Sequence, residues 1–275
     1  MKIILSPAKK MKEEDGLLPW STPVFQTEAQ QILDALSALA PDERMHVWNC
    51  SAKLAAENER RLSRMDLTHG NSPALFSYSG LAYNYLAADA LTDANLHYLQ
   101  DHLRILSALY GVLRPMDGIA TYRLEFAAPL SVSGAKDLYA FWDDRIAEEV
   151  MKNEDVVVNL ASKEYSDAIE PYLNGRQQMI HIIFLHEKNG SYVTKGTLAK
   201  MARGSMVRWL AEQEIEDPSE IKTYSDGYCF SKERSDSTHY VFLQKENSCL
   251  RLKQTAVLLS ELIQEQLPAQ SSSCW

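Results

Sequence analysis

Two short segments of this chain combine basic side chains with glycine, and both are suited to holding an anion. The more compact one, residues 195–208 (KGTLAKMARGSMVR), contains Lys195, Lys200, Arg203 and Arg208 and no acidic residue. At about 100° per residue, the last three fall within an arc of about 140° on a predicted helix, so they can face one ligand. The alternative interpretation is a solvated helix face on which basic side chains extend over the core.

The other basic segment, residues 103–126 (LRILSALYGVLRPMDGIATYRLEF), spaces Arg104, Arg114 and Arg123 among aromatic and apolar residues. The planar guanidinium group suits bidentate recognition of phosphate or carboxylate. Proline and glycine predict a turn at 114–118, and a hairpin between two short helices would present backbone amides to a phosphate. We therefore expect a helix-hairpin-helix-like element here, although the close-set glycine pair of that motif is absent. For Arg123, pairing with Glu125 is an alternative to ligand contact.

A further set of residues offers the groups that acid–base chemistry needs. Lys9 supplies an amine, Glu125 a carboxylate and Tyr122 a hydroxyl, and these three are catalytic candidates. Lys9 follows the first predicted strand, and ligands of α/β sheets often bind beyond the carboxyl ends of strands. Lys9 also joins Asn159 and Ser162 as candidates for the anion site, and catalysis requires that the fold bring these groups together. Capping of the following helix is the alternative role for Ser162.

The spacing of histidine and cysteine does not indicate a metal site or reactive thiols. His181 and His186 are five apart in a predicted strand, so they point to opposite faces, and no HxxxH or HExxH pattern occurs. The four cysteines form no CxxC pair, which argues against a zinc finger or a disulfide framework. We expect no metal and no cofactor. We also expect Cys229, beside Phe230 in a predicted strand, to be buried.

Length and composition are those of an ordinary globular protein. The chain has 275 residues, 45% of them hydrophobic, and a formal net charge of −9, so an anion site requires that positive charge be concentrated locally. Three consecutive apolar residues before Pro7 are too few for a signal peptide. No run approaches the roughly 20 apolar residues that cross a bilayer. We therefore expect a cytoplasmic protein with no membrane partner.

Strand and helix patterns alternate along the chain without strict repetition. Strands are predicted at 2–5, 156–160, 179–185, 192–195, 228–230 and 240–243, and longer helices at 27–39, 136–152 and 197–213. This mixture predicts an α/β fold of the mixed α+β type, with a mixed sheet and surrounding helices in a single compact domain. The main domain is expected at 1–247. An amphipathic helix at 250–267 and a polar tail make up 248–275, and this helix packs on the body or on a second copy in a homodimer.

A set of short motifs runs in order through nearly the whole chain. They are SPAK at 6–9, KLA at 53–55 with Asn58 and Arg61, LSALYGVLRP at 106–115, YRLE at 122–125, LY at 138–139 with FW at 141–142, NLAS at 159–162 with EY at 164–165, and Lys200 with ARG at 202–204. Together they resemble the YaaA family of bacterial peroxide stress proteins, also called UPF0246. The chain departs from the family pattern at Ala108, usually glycine, at Phe126, usually methionine, and in the helix after Gln244.

The resemblance implies a protein that supports survival of hydrogen peroxide stress and limits the free iron that turns peroxide into radicals. It also implies DNA binding through a basic cleft, with mainly phosphate contacts that are independent of sequence and weakened by salt. A competing interpretation is an enzyme that acts on a small anionic metabolite or damaged nucleotide in the same cleft. A third is an interaction protein that dimerises through residues 250–267.

Overall fold

A computed structural model describes residues 1–14, 16–68 and 72–245, and most of its strands are short. The strands within these residues are β1 (Lys2–Leu5), β2 (Lys10–Met11), β3 (Ser72–Pro73), β4 (Tyr78–Ser79), β5 (Leu103–Ser107), β6 (Gly111–Leu113), β7 (Gly118–Ile119), β8 (Val156–Leu160), β9 (Gln178–Lys188), β10 (Ser191–Val193), β11 (Tyr228–Phe230) and β12 (His239–Gln244).

Helices occupy much of the remaining described chain, and the longest of them is the last. They are α1 (Gln26–Ala38), α2 (Pro41–Trp48), α3 (Ala52–Leu62), α4 (Ala74–Ser77), α5 (Leu81–Leu86), α6 (Asp93–His102), α7 (Leu138–Trp142), α8 (Arg145–Val150), α9 (Lys163–Ser166) and α10 (Gly196–Glu212). Short 3₁₀ segments occur at Ala88–Ala90, Glu170–Tyr172, Pro218–Thr223 and Lys232–Arg234.

Eight strands form one mixed sheet in the order β11-β12-β9-β8-β1-β5-β6, with β10 paired to β9. The strands from β12 to β5 run parallel, whereas β6, β10 and β11 pair antiparallel with their neighbours. In β8 the sequence VVVNL is almost entirely apolar, which is typical of a parallel strand covered on both faces. The predicted mixed α/β fold is confirmed.

The strand order reverses direction at β1. The chain leaves β1 and returns to the sheet as β5 on one side, and after β6 it crosses over to form β8 on the other side of β1. In open α/β sheets such a reversal leaves a crevice beyond the carboxyl ends of the strands, and ligands bind there. The residues that follow β1 and β8 therefore lie where a ligand is expected to bind.

Residues 103–126 contain strands rather than helices. β5 and β6 pair antiparallel, with Ile105 opposite Leu113, and β7 follows after a turn. The prediction of a helix-hairpin-helix-like element in this segment is wrong. The apolar run of β5 extends the parallel sheet beside β1, and Gly111 begins the returning strand with a φ of +69°. A Cβ on Gly111 would lie 2.7 Å from the buried ring of Trp142, so this position requires glycine for two reasons.

Two other local expectations are also wrong. The helix predicted at 136–152 is interrupted between α7 and α8, where Asp143 adopts a φ of 49° and a ψ of −131°, far from helical values. Cys229 is exposed rather than buried. It lies on the edge strand β11, where alternation buries Tyr228 and turns its neighbour to solvent. The helix predicted at 250–267, and with it the segment 248–275, lies outside the described residues.

Candidate functional site

A cavity of about 420 Å³ opens beyond the carboxyl ends of β1 and β8, at the point where the strand order reverses. Its volume lies within the range of small-molecule sites. We call it the switch-point pocket. It is lined by segments 5–10, 79–83, 122–125 and 160–165, without Ala161 and Lys163, and by Lys200 and Arg203.

Hydrogen bonds between the two strand ends hold one wall of this pocket. The Ser162 backbone N–H donates to Ser6 Oγ at 2.8 Å, and the Ser6 hydroxyl donates to Ser162 Oγ at 3.3 Å. The Ser162 hydroxyl hydrogen therefore has no acceptor within the described residues and can donate to a ligand. β1 ends at Leu5, just before Ser6, because Pro7 has no N–H with which to continue the strand. Ser162 is the N-cap residue of α9, as one alternative predicted, but its side chain makes no capping hydrogen bond.

Asn159 does not line the pocket, but its side chain holds the turn that leads into this wall. Its Oδ1 accepts a hydrogen bond from the Ala161 N–H at 2.8 Å, which fixes the turn that leads to Ser162. Its Nδ2 lies 3.1 Å from His181 Nδ1, and His181 Nε2 lies 3.2 Å from Glu170. Because Asn159 Nδ2 is a donor, His181 Nδ1 accepts, and Nε2 of the neutral ring donates to Glu170.

Helix α10 brings Lys200 and Arg203 to the opposite wall, and Gly204 is the residue that permits this. A Cβ at Gly204 would lie 1.9 Å from the carbonyl oxygen of Ala82 in α5. The two helices therefore approach at backbone contact. Because α5 begins directly after Gly80, this approach sets the basic face of α10 against the loop that lines the pocket.

Arg203 differs electrostatically from the other partly buried arginines of the described residues. Its Nε is buried without a hydrogen-bond partner, and burial lowers the pKa of its guanidinium group with no acidic neighbour to oppose the effect. The others bond to a carboxylate or a backbone carbonyl; they are Arg44, Arg61, Arg104, Arg114, Arg123, Arg145 and Arg208. Burying part of a cation without a partner costs free energy, so an anion bound at Arg203 would be stabilising.

An ion pair between Lys9 and Glu125 joins two sides of the switch-point pocket. Lys9 Nζ lies 2.7 Å from one carboxylate oxygen and 2.9 Å from the other. The Lys9 side chain is 63% exposed and that of Glu125 is 23% exposed, so the pair lies at the rim. Glu125 thus pairs with Lys9 and not with Arg123, whose Nε donates to the carbonyl of Trp48 at 3.2 Å.

Buried tyrosines form the aromatic part of the wall. The Tyr122 hydroxyl lies 2.8 Å from that of Tyr78 and 2.7 Å from Ser107 Oγ, and burial raises the pKa of Tyr122 to about 12. Burial also raises the pKa of Tyr165, so its hydroxyl stays protonated at neutral pH and can donate. Phe126, a departure from the family pattern, packs edge-on against Tyr165.

The switch-point pocket is lined by more positive than negative side chains, whereas the protein as a whole is negatively charged. Five cationic side chains line it, against two acidic ones, although the formal net charge of the chain is −9. The cations are Lys9, Lys10, Arg123, Lys200 and Arg203, and the acids are Glu125 and Glu164. A cleft of one sign concentrates the opposite charge, so the pocket attracts anions.

The fold brings together about half of the residues predicted for the site. Those that line the pocket are Lys9, Tyr122, Arg123, Glu125, Ser162, Lys200 and Arg203. Arg104, Arg114, Asn159, Lys195 and Arg208 do not line it. Arg114 pairs with Asp117 and Arg208 with Glu212, while Arg104 donates to the backbone carbonyls of Gln100 and Leu103.

Sequence reasoning also missed several lining residues, namely Ser6, Lys10, Gly80 and Glu164. For Ser6 the signal was its place directly after the first strand. For the arginines the signal was the presence or absence of an acid three or four positions away. Arg114 and Arg208 each have one within that distance, and Arg203 has none.

The described residues offer neither a metal-binding cluster nor a membrane-spanning helix. These residues contain no group of three or more His, Cys, Asp or Glu side chains that could hold a metal ion. Nor does any helix among them have the length and apolar character needed to span a bilayer.

Comparison with known proteins agrees with the motifs along the chain. The family described as "Peroxide stress protein YaaA" matches residues 1–234. A UPF0246 protein of Agathobacter rectalis is 44% identical over 89% of this chain and 99% of its own length. UPF0246 proteins of Lactobacillus delbrueckii subsp. bulgaricus and Lactiplantibacillus plantarum are both 46% identical, over 89% and 88% of this chain and 100% and 99% of their own lengths. The chain belongs to the YaaA family of peroxide stress proteins.

Proposed function

We propose that this peroxide stress protein binds nucleic acid through the switch-point pocket. The observation that supports this most strongly is Arg203, a cation whose buried Nε has no partner, one helical turn from the exposed Lys200. Both side chains face a cavity in which cations outnumber acids. Phosphate oxygens are the acceptors that a guanidinium fork and a nearby ammonium group bind most readily.

The aromatic wall supports a nucleotide as the phosphate carrier. Tyr83, Tyr122 and Tyr165 line the same cavity as the cations, and bases stack on aromatic side chains without regard to sequence. Because the protein is acidic outside the pocket, DNA is repelled elsewhere and the affinity should be modest. Contacts of this kind are independent of sequence and depend on salt.

Protection from iron-driven damage is part of the same proposal and is indirect. The described residues contain no cluster of metal ligands, so direct capture of iron has no support among them. Binding of nucleic acid shields the sugar–phosphate backbone from radicals that iron and peroxide generate together. In this proposal the protein limits the damage by covering the nucleic acid.

The test is a salt titration of DNA binding with matched charge variants. Binding of labelled single-stranded and duplex DNA is measured by fluorescence anisotropy from low to moderate salt, for the wild type and for Lys200→Ala/Arg203→Ala. For single strands, the double variant should reduce the slope of log K against log salt by about 1.4 and weaken binding. Arg208→Ala is the control, because this arginine is on the same helix but pairs with Glu212. Binding that the double variant leaves unchanged would refute the role of the pocket.

A second candidate function is an enzyme that acts on a small anionic metabolite. The specific observation that favours it is the Lys9–Glu125 ion pair at a crevice of the type that α/β enzymes use. A carboxylate and an amine held 2.7 Å apart can exchange a proton with a bound substrate.

This candidate predicts saturable binding of a phosphorylated or carboxylated small molecule with little dependence on salt. Ligands from a metabolite library are ranked by their increase in melting temperature, and hits are followed for turnover by mass spectrometry. Lys9→Met and Glu125→Gln should abolish turnover and retain binding. Because both side chains are partly exposed at the rim, the variants are expected to fold.

A further inference from the structure

The dimensions of the switch-point pocket limit what part of a nucleic acid can enter it. A cavity of about 420 Å³ is the size of a small-molecule site, so it matches a single nucleotide and not a double helix. A duplex therefore stays outside. A nucleotide in the middle of a strand would need the chain to enter and leave the cavity, whereas a terminal nucleotide enters only once.

The unpaired charge inside the pocket fits a terminal phosphate better than an internal one. Arg203 and Lys200 have no acidic partner among the described residues, and they lie one turn apart on α10. An internal phosphodiester carries a single negative charge. A terminal phosphomonoester carries about −1.5 to −2 at neutral pH and has three acceptor oxygens.

Neutral donors from the segment after β8 line the same cavity as the cations. Ser6 donates to Ser162, and Tyr165 lines the same cavity; within the described chain neither the Ser162 hydroxyl hydrogen nor the Tyr165 hydroxyl has a hydrogen-bond partner. These two hydroxyls can bind phosphate oxygens that the cations leave unoccupied. These hydroxyls and the two cations of α10 line one cavity, so they can bind different oxygens of the same phosphate.

We propose that the switch-point pocket recognises the terminal phosphomonoester of a single nucleotide, with Arg203 and Lys200 on its oxygens. The inference rests on the proposed function and specifies its ligand. The same chemistry is found at the phosphorylated end of a nucleic acid strand and in a free mononucleotide. Radical cleavage of the sugar–phosphate backbone leaves phosphates at the broken ends, so strand ends of this kind arise under peroxide stress.

The test compares DNA molecules that differ only at their ends. A ten-nucleotide single strand is prepared with a 3′-phosphate, with a 5′-phosphate or with hydroxyls at both ends, together with a covalently closed circle of matched composition. One phosphorylated form should bind at least about tenfold more tightly than the hydroxyl form and the circle, because hydrogen bonds to charged groups are strong. Arg203→Gln and the exposed-site variant Lys200→Gln should remove this preference, and Arg208→Gln should retain it.

Each outcome separates this inference from the broader proposal. Equal binding of all ends and the circle overturns end recognition and leaves general DNA binding intact. No binding of any oligonucleotide, with tight binding of a free mononucleotide over its nucleoside, supports phosphomonoester recognition and refutes the nucleic-acid function. No binding of any probe overturns both. A preference for phosphorylated ends that Arg203→Gln and Lys200→Gln both retain places the recognition outside the pocket and refutes the inference.

Discussion

The close approach of α10 to α5 makes Gly204→Ala a decisive substitution. The added Cβ would lie 1.9 Å from the Ala82 carbonyl oxygen, 2.7 Å from its carbonyl carbon and 3.0 Å from its Cα. These are backbone atoms, so no side-chain rotation relieves the contact. Since carbon and oxygen approach to about 3.3 Å, the helices must separate locally by about 1.4 Å.

The magnitude follows from two opposing terms. Overpacking costs about 1–3 kcal/mol, and a contact with rigid backbone belongs at the upper end of that range. Replacing glycine by alanine inside a helix returns about 1 kcal/mol. We expect a net loss of about 2 kcal/mol in the free energy of unfolding. Because Arg203 precedes Gly204, the displacement should also weaken binding of a phosphorylated oligonucleotide, by about tenfold.

The assay is urea denaturation followed by circular dichroism, with Gly196→Ala as the matched control. Gly196 is the first residue of the same helix, and an added Cβ there meets nothing within 4 Å. The control should be as stable as the wild type or slightly more so. If Gly204→Ala were equally stable and bound DNA normally, the close approach of the two helices would not position the site, and the reasoning would be refuted.

Two further predictions concern the interior. Gly111→Ala should lower the free energy of unfolding in urea by about 3 kcal/mol, because backbone strain at a φ of +69° adds to a clash with Trp142. The control Gly134→Ala has a φ of +85° and open space around the added Cβ, so it should lose only about 1 kcal/mol. Burial raises the pKa of Tyr122 to about 12, above the value of about 10 in the unfolded chain. The protonated hydroxyl therefore contributes its full share to the free energy of unfolding below pH 10, and this share is lost as the pH rises through 12. Since Tyr122 is still half protonated in the folded protein at pH 12, unfolding free energies from pH 8 to 12 should fall by about 2 kcal/mol less in Tyr122→Phe than in the wild type; an equal fall would contradict the assignment.

Local patterns were sufficient to predict many of the elements. The apolar run at 156–160 forms β8, and the basic segment at 195–208 lies on α10 as expected. These predictions succeeded because hydrophobic periodicity and turn residues act over a few positions. The helix-hairpin-helix expectation failed because residues 103–107 have a neighbour, β1, that lies a hundred positions away in the chain.

The sequence predicted the chemistry of the candidate site but not which of the candidate residues line it. Lys9, Glu125, Lys200 and Arg203 were identified from residue type and spacing, and all four line the pocket. Arg104 has the same side chain as Arg203 and was predicted equally. Its guanidinium group instead donates to the carbonyls of nearby backbone, which removes it from the site.

The sequence by itself determined the family, the mixed α/β class and the presence of cationic side chains in an acidic chain, because these depend on composition and short-range order. Only the tertiary structure decided which cations remain without a partner. That outcome depends on strand order, which joins the ends of β1 and β8, and on a glycine contact that brings α10 against α5. Contacts between residues far apart in the chain set burial and pairing, and burial and pairing determine whether a charge is available to a ligand.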